Sequence, residues 1–147
     1  MRRFLALALL ALSAFSAHAE VTDIDNAELE RLMKAGATVI DIRTAPEWEE
    51  TGIVKGSHLL TFFDERGRYD AAAWLDKVKQ IAKPNEPLVV ICRTGNRTRA
   101  VSQFLDKQAG YTKVYNVRNG IKAWIASGAP VMPARETLAA CRAAKTC

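Results

Sequence analysis

Short apolar runs alternate with amphipathic segments along most of the chain, and this alternation restricts the fold more than any other sequence feature. Four runs rich in apolar or β-branched residues predict strands, at 38–42, 57–61, 88–91 and 113–117. Four segments with apolar residues at helical spacing predict helices, at 26–35, at 71–82, from the residues after Cys92 to near Gly110, and at 120–126. Such alternation favours an α/β three-layer sandwich, with a central, mainly parallel sheet flanked by helices.

The first 19 residues have the composition of a leader rather than of a folded element. Arg2 and Arg3 precede an apolar run that ends at Ala17-His18-Ala19, which is the layout of a cleaved secretory signal peptide. The alternative is a membrane anchor, but the run is shorter than the roughly 18 to 20 apolar residues of a spanning helix. We therefore expect a signal peptide at 1–19 and a periplasmic or secreted mature chain without membrane attachment.

The mature chain is long enough for one domain and too short for two. Removal of the leader leaves 128 of the 147 residues, and we expect a domain at 20–135 followed by a C-terminal tail at 136–147. The two leader arginines are the only charges lost, so the net charge falls from +5 to +3. Such a small positive excess argues against dedicated nucleic-acid binding.

Three cysteines divide into a C-terminal pair and a single residue. Cys141 and Cys147 lie six residues apart, and an oxidising compartment favours a disulfide between them. The alternative is two free terminal thiols without a role. Cys92 then remains as the single reactive thiol. One histidine in the mature chain and such dispersed cysteines argue against a metal site.

Cys92 ends the most hydrophobic run of the mature chain and opens a loop that leads into a helix. Gly95 permits a positive φ, so consecutive amide groups can turn inward toward one anion, and the helix adds its positive dipole end. Arg93, Arg97 and Arg99 add positive charge. We therefore expect Cys92 to be a reactive thiolate at neutral pH. The alternative is a buried structural cysteine at a strand end.

This loop, Cys92-Arg93-Thr94-Gly95-Asn96-Arg97, resembles the active-site loop of single-domain rhodaneses, which form the thiosulfate sulfurtransferase-like family. With the leader at 1–19, the chain resembles an exported bacterial member of that family. Two further segments are similar to the family. One runs from Asp41 to Trp48 with Gly52 and Gly56 after it, and the other is 119–124 with 128–131. Together the three segments cover most of 21–131. The sequence departs from the common family pattern at two places: Asn119-Gly120 stands where many members have Gly-Gly, and Ile53-Val54-Lys55 stands where many have His-Ile-Pro. We expect these departures to affect loop conformation more than activity.

The resemblance implies that Cys92 takes a sulfane sulfur from thiosulfate or a similar anionic donor as a persulfide and passes it to cyanide or a thiol. It implies no cofactor, and a domain of this kind can act as a monomer. The expected substrate-binding residues are Arg93, Thr94, Gly95, Asn96, Arg97 and Thr98. Three further residues are expected to support the loop. Asp41 would hold the loop backbone, and Arg43 would pair with Glu47 or line the same pocket.

Several other functions use a reactive cysteine or this fold. Cysteine phosphatases and arsenate reductases need Cys-x5-Arg to hold a tetrahedral oxyanion, whereas here Arg97 closes Cys-x4-Arg and Thr98 occupies the x5 position. A noncatalytic rhodanese-like binding module would not need Cys92 with its arginines. A disulfide oxidoreductase would need Cys-x-x-Cys, which is absent. His58 is expected to be a hydrogen-bonded structural residue rather than a partner of Cys92.

Overall fold

The computed structural model describes residues 20–147, and its centre is a five-stranded parallel sheet. The strands are β1 (Thr22–Ile24), β2 (Thr38–Asp41), β3 (His58–Leu59), β4 (Leu88–Ile91) and β5 (Val114–Val117). Their order across the sheet is β1-β5-β4-β2-β3, and every neighbouring pair is parallel. The predicted α/β sandwich with a parallel sheet is therefore confirmed. The predicted signal peptide lies outside the described residues.

Helices cover both faces of the sheet and one of its edges. They are α1 (Asn26–Lys34), α2 (Ala45–Thr51), α3 (Ala71–Ile81), α4 (Asn96–Lys107), α5 (Gly120–Ala126) and α6 (Arg135–Ala144). Local signals explain where α1 and α3 begin, because the Asp25 and Asp70 carboxylates each accept a hydrogen bond from the backbone three residues later. From residue 20 onward, no helix combines the length and apolar character of a membrane span.

The two faces of β4 divide the core into two layers. Leu88 and Val90 pack with side chains of α3 and α4, whereas Val89 and Ile91 pack with side chains of α1 and α5. This division follows from the period of two along a strand, and it requires apolar residues on both faces. The continuous apolar run is thus the central strand, and it delivers Cys92 to the carboxyl edge of the sheet.

Three elements of the structure were not predicted from the sequence, namely β1, α2 and α6. Helix α6 crosses the predicted domain boundary at 135–136, so the expected tail is largely helical. Its Leu138 packs with Trp48 of α2 and Leu59 of β3 in a third apolar cluster. This contact covers the edge strand β3, whose unpaired backbone groups would otherwise remain available for association.

Candidate active site

The sulfur of Cys92 sits at the amino-terminal end of α4. The amide of Gly95 donates a hydrogen bond to Sγ at 3.1 Å, and the Thr98 hydroxyl lies 3.4 Å from Sγ. The same hydroxyl lies 3.1 Å from the Gly95 carbonyl, so its single proton can serve either acceptor. The amide and the helix dipole both favour a negative sulfur. The site can therefore stabilise a thiolate with one amide and one adjustable hydroxyl.

The amino terminus of α5 holds the loop backbone from the other side. The amides of Ile121 and Lys122 donate to the carbonyls of Cys92 and Arg93 at 2.9 and 3.1 Å. This approach needs glycine at position 120, where φ is +59° and a Cβ would overlap the Cys92 and Arg93 backbone. These two hydrogen bonds fix the start of the loop, whose Gly95 amide faces the sulfur.

The Cys92 side chain is recessed. Only 1% of the residue is exposed, and it belongs to the apolar cluster formed with α3 and α4. Arg93, Thr94 and Asn96 are exposed around it, whereas Gly95 and Thr98 are buried. The thiol predicted to be reactive thus lies beneath a rim of exposed loop residues. A reactant has to pass this rim to reach it.

Arg97 forms an ion pair with Glu47. Its two terminal nitrogens donate to the Glu47 carboxylate at 2.9 and 2.5 Å, and the two side chains are 30% and 24% exposed. Burial alone would raise the pKa of Glu47, but the hydrogen bonds from Arg97 and Thr44 and the Arg97 charge lower it to about 2. The hydrogen bond with Glu47 raises the pKa of Arg97. The pair is therefore ionised throughout the neutral range.

Arg43 pairs with Asp41 rather than with the Glu47 carboxylate, which corrects the expected partner. Both residues are buried, and Arg43 Nη2 lies 2.8 Å from Asp41 Oδ2. The remaining Arg43 donors bind the Glu47 carbonyl, the Thr51 hydroxyl and the Gly52 carbonyl. Asp41 also accepts from the Arg43 amide and makes no hydrogen bond to the Cys92 loop among the described residues. The buried pair thus fixes α2.

His58 and the C-terminal cysteines lie away from Cys92. His58 is on the edge strand β3, and β2 separates that strand from β4. It lines a cavity with Cys141, and partial burial lowers its pKa. Cys141 and Cys147 form a disulfide with a Cα separation of 5.3 Å, and Cys92 is a free cysteine. A Cys92–His58 dyad is therefore not formed.

Residues 25–127, well over half of the chain, match the family model described as a rhodanese-like domain. The chain belongs to the rhodanese family. A thiosulfate sulfurtransferase, GlpE, of Actinobacillus pleuropneumoniae serotype 3 is 33% identical over 102 residues, which cover 69% of this chain and 83% of that protein. Thiosulfate sulfurtransferase 18 of Arabidopsis thaliana is 29% identical over 118 residues, which cover 76% and 84% of the two chains.

Solved rhodanese structures agree with the fold. The crystal structure of a rhodanese-related protein from Thermoplasma volcanium superposes with a TM-score of 0.57 at 31% identity, covering 76% of this chain and 97% of that one. The family match ends at residue 127, so α6 and the disulfide lie beyond it.

Two contributors to this rhodanese site were absent from the predicted site. Gly120 was noted only as part of a departure from the family pattern, although it permits the contact between α5 and the loop. Thr44 anchors Glu47, since its amide and hydroxyl contact Glu47 Oε2 at 3.1 and 3.2 Å. The Thr-x-x-Glu spacing before Trp48 is a helix-start signal, so the sequence did contain evidence for α2.

Proposed function

We propose that this rhodanese is a sulfurtransferase that carries one sulfane sulfur on Cys92 as a persulfide. The observation that carries the proposal is the Gly95 amide donating to Cys92 Sγ at the start of α4. This arrangement stabilises the thiolate before it attacks the donor and the negative charge that returns to Cys92 Sγ when the outer sulfur is passed on. Relatives named thiosulfate sulfurtransferases support thiosulfate as a donor.

The reaction divides into two displacements at sulfur. The Cys92 thiolate attacks the outer sulfur of thiosulfate, an S–S bond forms, and sulfite leaves with the electron pair of the broken bond. Cyanide or a thiolate then attacks the outer sulfur of the persulfide. The bonding pair returns to Cys92 Sγ as the product leaves, which restores the thiolate. Neither step needs a separate base if the acceptor arrives as an anion.

The recessed position of the Cys92 sulfur favours a small sulfur donor and a small acceptor. The loop rim contains the exposed Arg93, and no carboxylate lies within 4.0 Å of its guanidinium in residues 20–147. Its charge is therefore available to attract an anion toward the rim. The same low exposure of Cys92, 1%, is the one observation that favours a second function, a noncatalytic binding module.

Intact-mass analysis separates these two functions. Wild-type protein exposed to thiosulfate should gain one sulfur atom, about 32 Da, and lose it on addition of cyanide or thiol. Cys92→Ala should gain nothing. A Cys141→Ser/Cys147→Ser variant is the matched control and should gain the same mass as the wild type. An unchanged wild-type mass would instead support the binding module.

We further propose that the protein is exported. The charged, apolar and small-residue regions at 1–19 support a cleaved leader, and an oxidising compartment suits the Cys141–Cys147 disulfide. Protein expressed with its own leader should begin near Glu20 when its amino terminus is sequenced. Ala19→Arg should block this cleavage, and retention of Met1 in the wild type would contradict export by a cleaved signal.

A further inference from the structure

Both terminal nitrogens of Arg97, the residue that closes the Cys92 loop, are paired with a carboxylate from a distant part of the chain. Glu47 and Arg97 are 50 residues apart in sequence, and each terminal nitrogen of Arg97 donates to a different Glu47 oxygen. Bidentate pairs of this kind are the strongest and most directional contacts that arginine makes. Any ligand that recruits the terminal nitrogens of Arg97 as a fork has to displace Glu47.

Glu47 is itself held before any ligand arrives. The Thr44 amide contacts its carboxylate, and the Glu47 carbonyl accepts a hydrogen bond from Arg43. Arg43 is in turn fixed by its buried pair with Asp41. The Glu47 carboxylate therefore belongs to a rigid support, and it cannot follow Arg97 into the loop without disturbing α2.

This commitment limits what the loop can bind. A tetrahedral oxyanion presents several charged oxygens, and proteins usually hold such a group with a free arginine fork. Within the loop, the two groups that contact Cys92 Sγ are the Gly95 amide and the Thr98 hydroxyl, and neither carries a charge. With both terminal nitrogens of Arg97 held by Glu47, its guanidinium cannot serve as a fork for the oxygens of an anion lying inside the loop.

We propose that Glu47 is a specificity-determining residue, which keeps the Arg97 fork away from the loop and thereby excludes anions that offer only oxygens, such as phosphate and sulfate, from the Cys92 site. This inference rests on the proposed sulfurtransferase function and extends it. The loop then accepts the outer sulfur of a donor, while the oxygens of the donor stay at the rim beside Arg93. Phosphate and sulfate offer only oxygens and are rejected.

The test measures binding of inorganic phosphate by calorimetry, which requires no reaction at Cys92. Glu47→Gln keeps an oxygen that can accept from the Thr44 amide but releases the Arg97 charge. Phosphate should bind this variant on the order of tenfold more tightly than the wild type, as expected for a new charge-assisted contact. The double variant Glu47→Gln/Arg97→Gln should return to wild-type affinity, because the gain requires the released guanidinium.

Glu49→Gln is the matched control. Glu49 lies on α2 and is exposed, so this change removes the same charge without releasing Arg97. Thermal unfolding establishes that each variant is folded. Glu47→Asp is a second variant that weakens the pair with Arg97, because its side chain is one methylene shorter. It should increase phosphate affinity less than Glu47→Gln does. Equal phosphate affinity in Glu47→Gln, Glu49→Gln and the wild type would overturn the inference.

A second readout locates the phosphate and separates the two proposals. Phosphate should slow the alkylation of Cys92 by iodoacetamide in Glu47→Gln and leave the wild-type rate unchanged. Tight phosphate binding that does not slow alkylation would place the anion elsewhere and contradict the inference. Failure of sulfur transfer would appear independently, as an unchanged mass after exposure to thiosulfate.

Discussion

Gly95 combines two requirements at one residue. Its φ is +88°, and a Cβ there would overlap the Arg118 carbonyl, while its amide donates to Cys92 Sγ. An alanine would carry both the strain of the left-handed region and a steric conflict with the Arg118 carbonyl, directly after β5. The residue that binds the sulfur is therefore also the residue that lets the loop approach the sheet.

We predict that Gly95→Ala abolishes sulfur loading of Cys92 and lowers the free energy of unfolding by more than the strain alone, about 1–2 kcal/mol. Intact mass and urea unfolding measure the two effects. Gly110→Ala is the matched control, since φ is +74° and no atom lies within 4 Å of the added Cβ. Equal destabilisation by the two variants would show that the overlap with Arg118 is relieved without cost.

Arg43 illustrates how a buried charge is tolerated only with a full set of partners. It is 1% exposed and donates to the Asp41 carboxylate and to three further acceptors. Replacing it would leave the Asp41 carboxylate buried and unpaired. The cost of such a change is much greater than the net stabilisation contributed by the pair.

We predict that Arg43→Met lowers the free energy of unfolding by about 3–5 kcal/mol, as measured by urea denaturation. Arg31→Met removes an exposed pair with Glu28 and should cause a much smaller loss, because water solvates both charges. Similar losses in the two variants would mean that water reaches Asp41 once Arg43 is removed.

At the scale of elements, α6 links the C-terminus to the edge of the sheet. Leu138 packs against Trp48 and Leu59, and a backbone bridge pairs Ile53 with Met132 on the approach to the helix. Because α2 carries both Trp48 and Glu47, this packing also supports the partner of Arg97. The disulfide holds the end of α6 against fraying.

We predict that Cys141→Ser lowers the free energy of unfolding by at most about 2–3 kcal/mol, since the closed loop is short. Hydrogen exchange should become faster in α6 while the β4 amides keep their protection. Cys147→Ser should reproduce this result because it breaks the same bond. Unchanged exchange in α6 would show that apolar packing alone secures the helix.

At the scale of the whole molecule, the Glu47–Arg97 pair makes stability depend on acid pH. Glu47 has a pKa of about 2 in the folded protein, below its ordinary value of 4.5. The unfolded chain therefore takes up this proton first as the pH falls. The stabilisation is fully present above about pH 4.5 and is lost progressively as the pH falls through the folded pKa.

We predict that the free energy of unfolding falls between about pH 4.5 and pH 2 and that Glu47→Gln reduces this dependence. Urea denaturation at a series of pH values measures both slopes. The difference in stability between wild type and variant should be greatest near neutral pH and shrink toward pH 2. An identical slope in Glu47→Gln would mean that other carboxylates account for the acid sensitivity.

The elements that carry local sequence signals could be predicted from the sequence alone. Helix α5 was predicted at its observed bounds, β4 at 88–91 matches, and Asp25 and Asp70 cap the predicted helices. A cap, a helical stripe or an apolar run acts over a few residues, so it can be recognised without knowing the fold. The order of these elements also predicted the parallel sheet and placed Cys92 at its carboxyl edge.

Tertiary structure alone decided which charges pair and how far the sulfur is recessed. Glu47 pairs with Arg97, 50 residues away in sequence, and Arg43 pairs with Asp41 instead of the expected Glu47 carboxylate. Strand β1 has only three residues, and its register exists only against β5. The identity of a residue states its charge and size, but its partner and its burial depend on which distant segments the fold brings beside it.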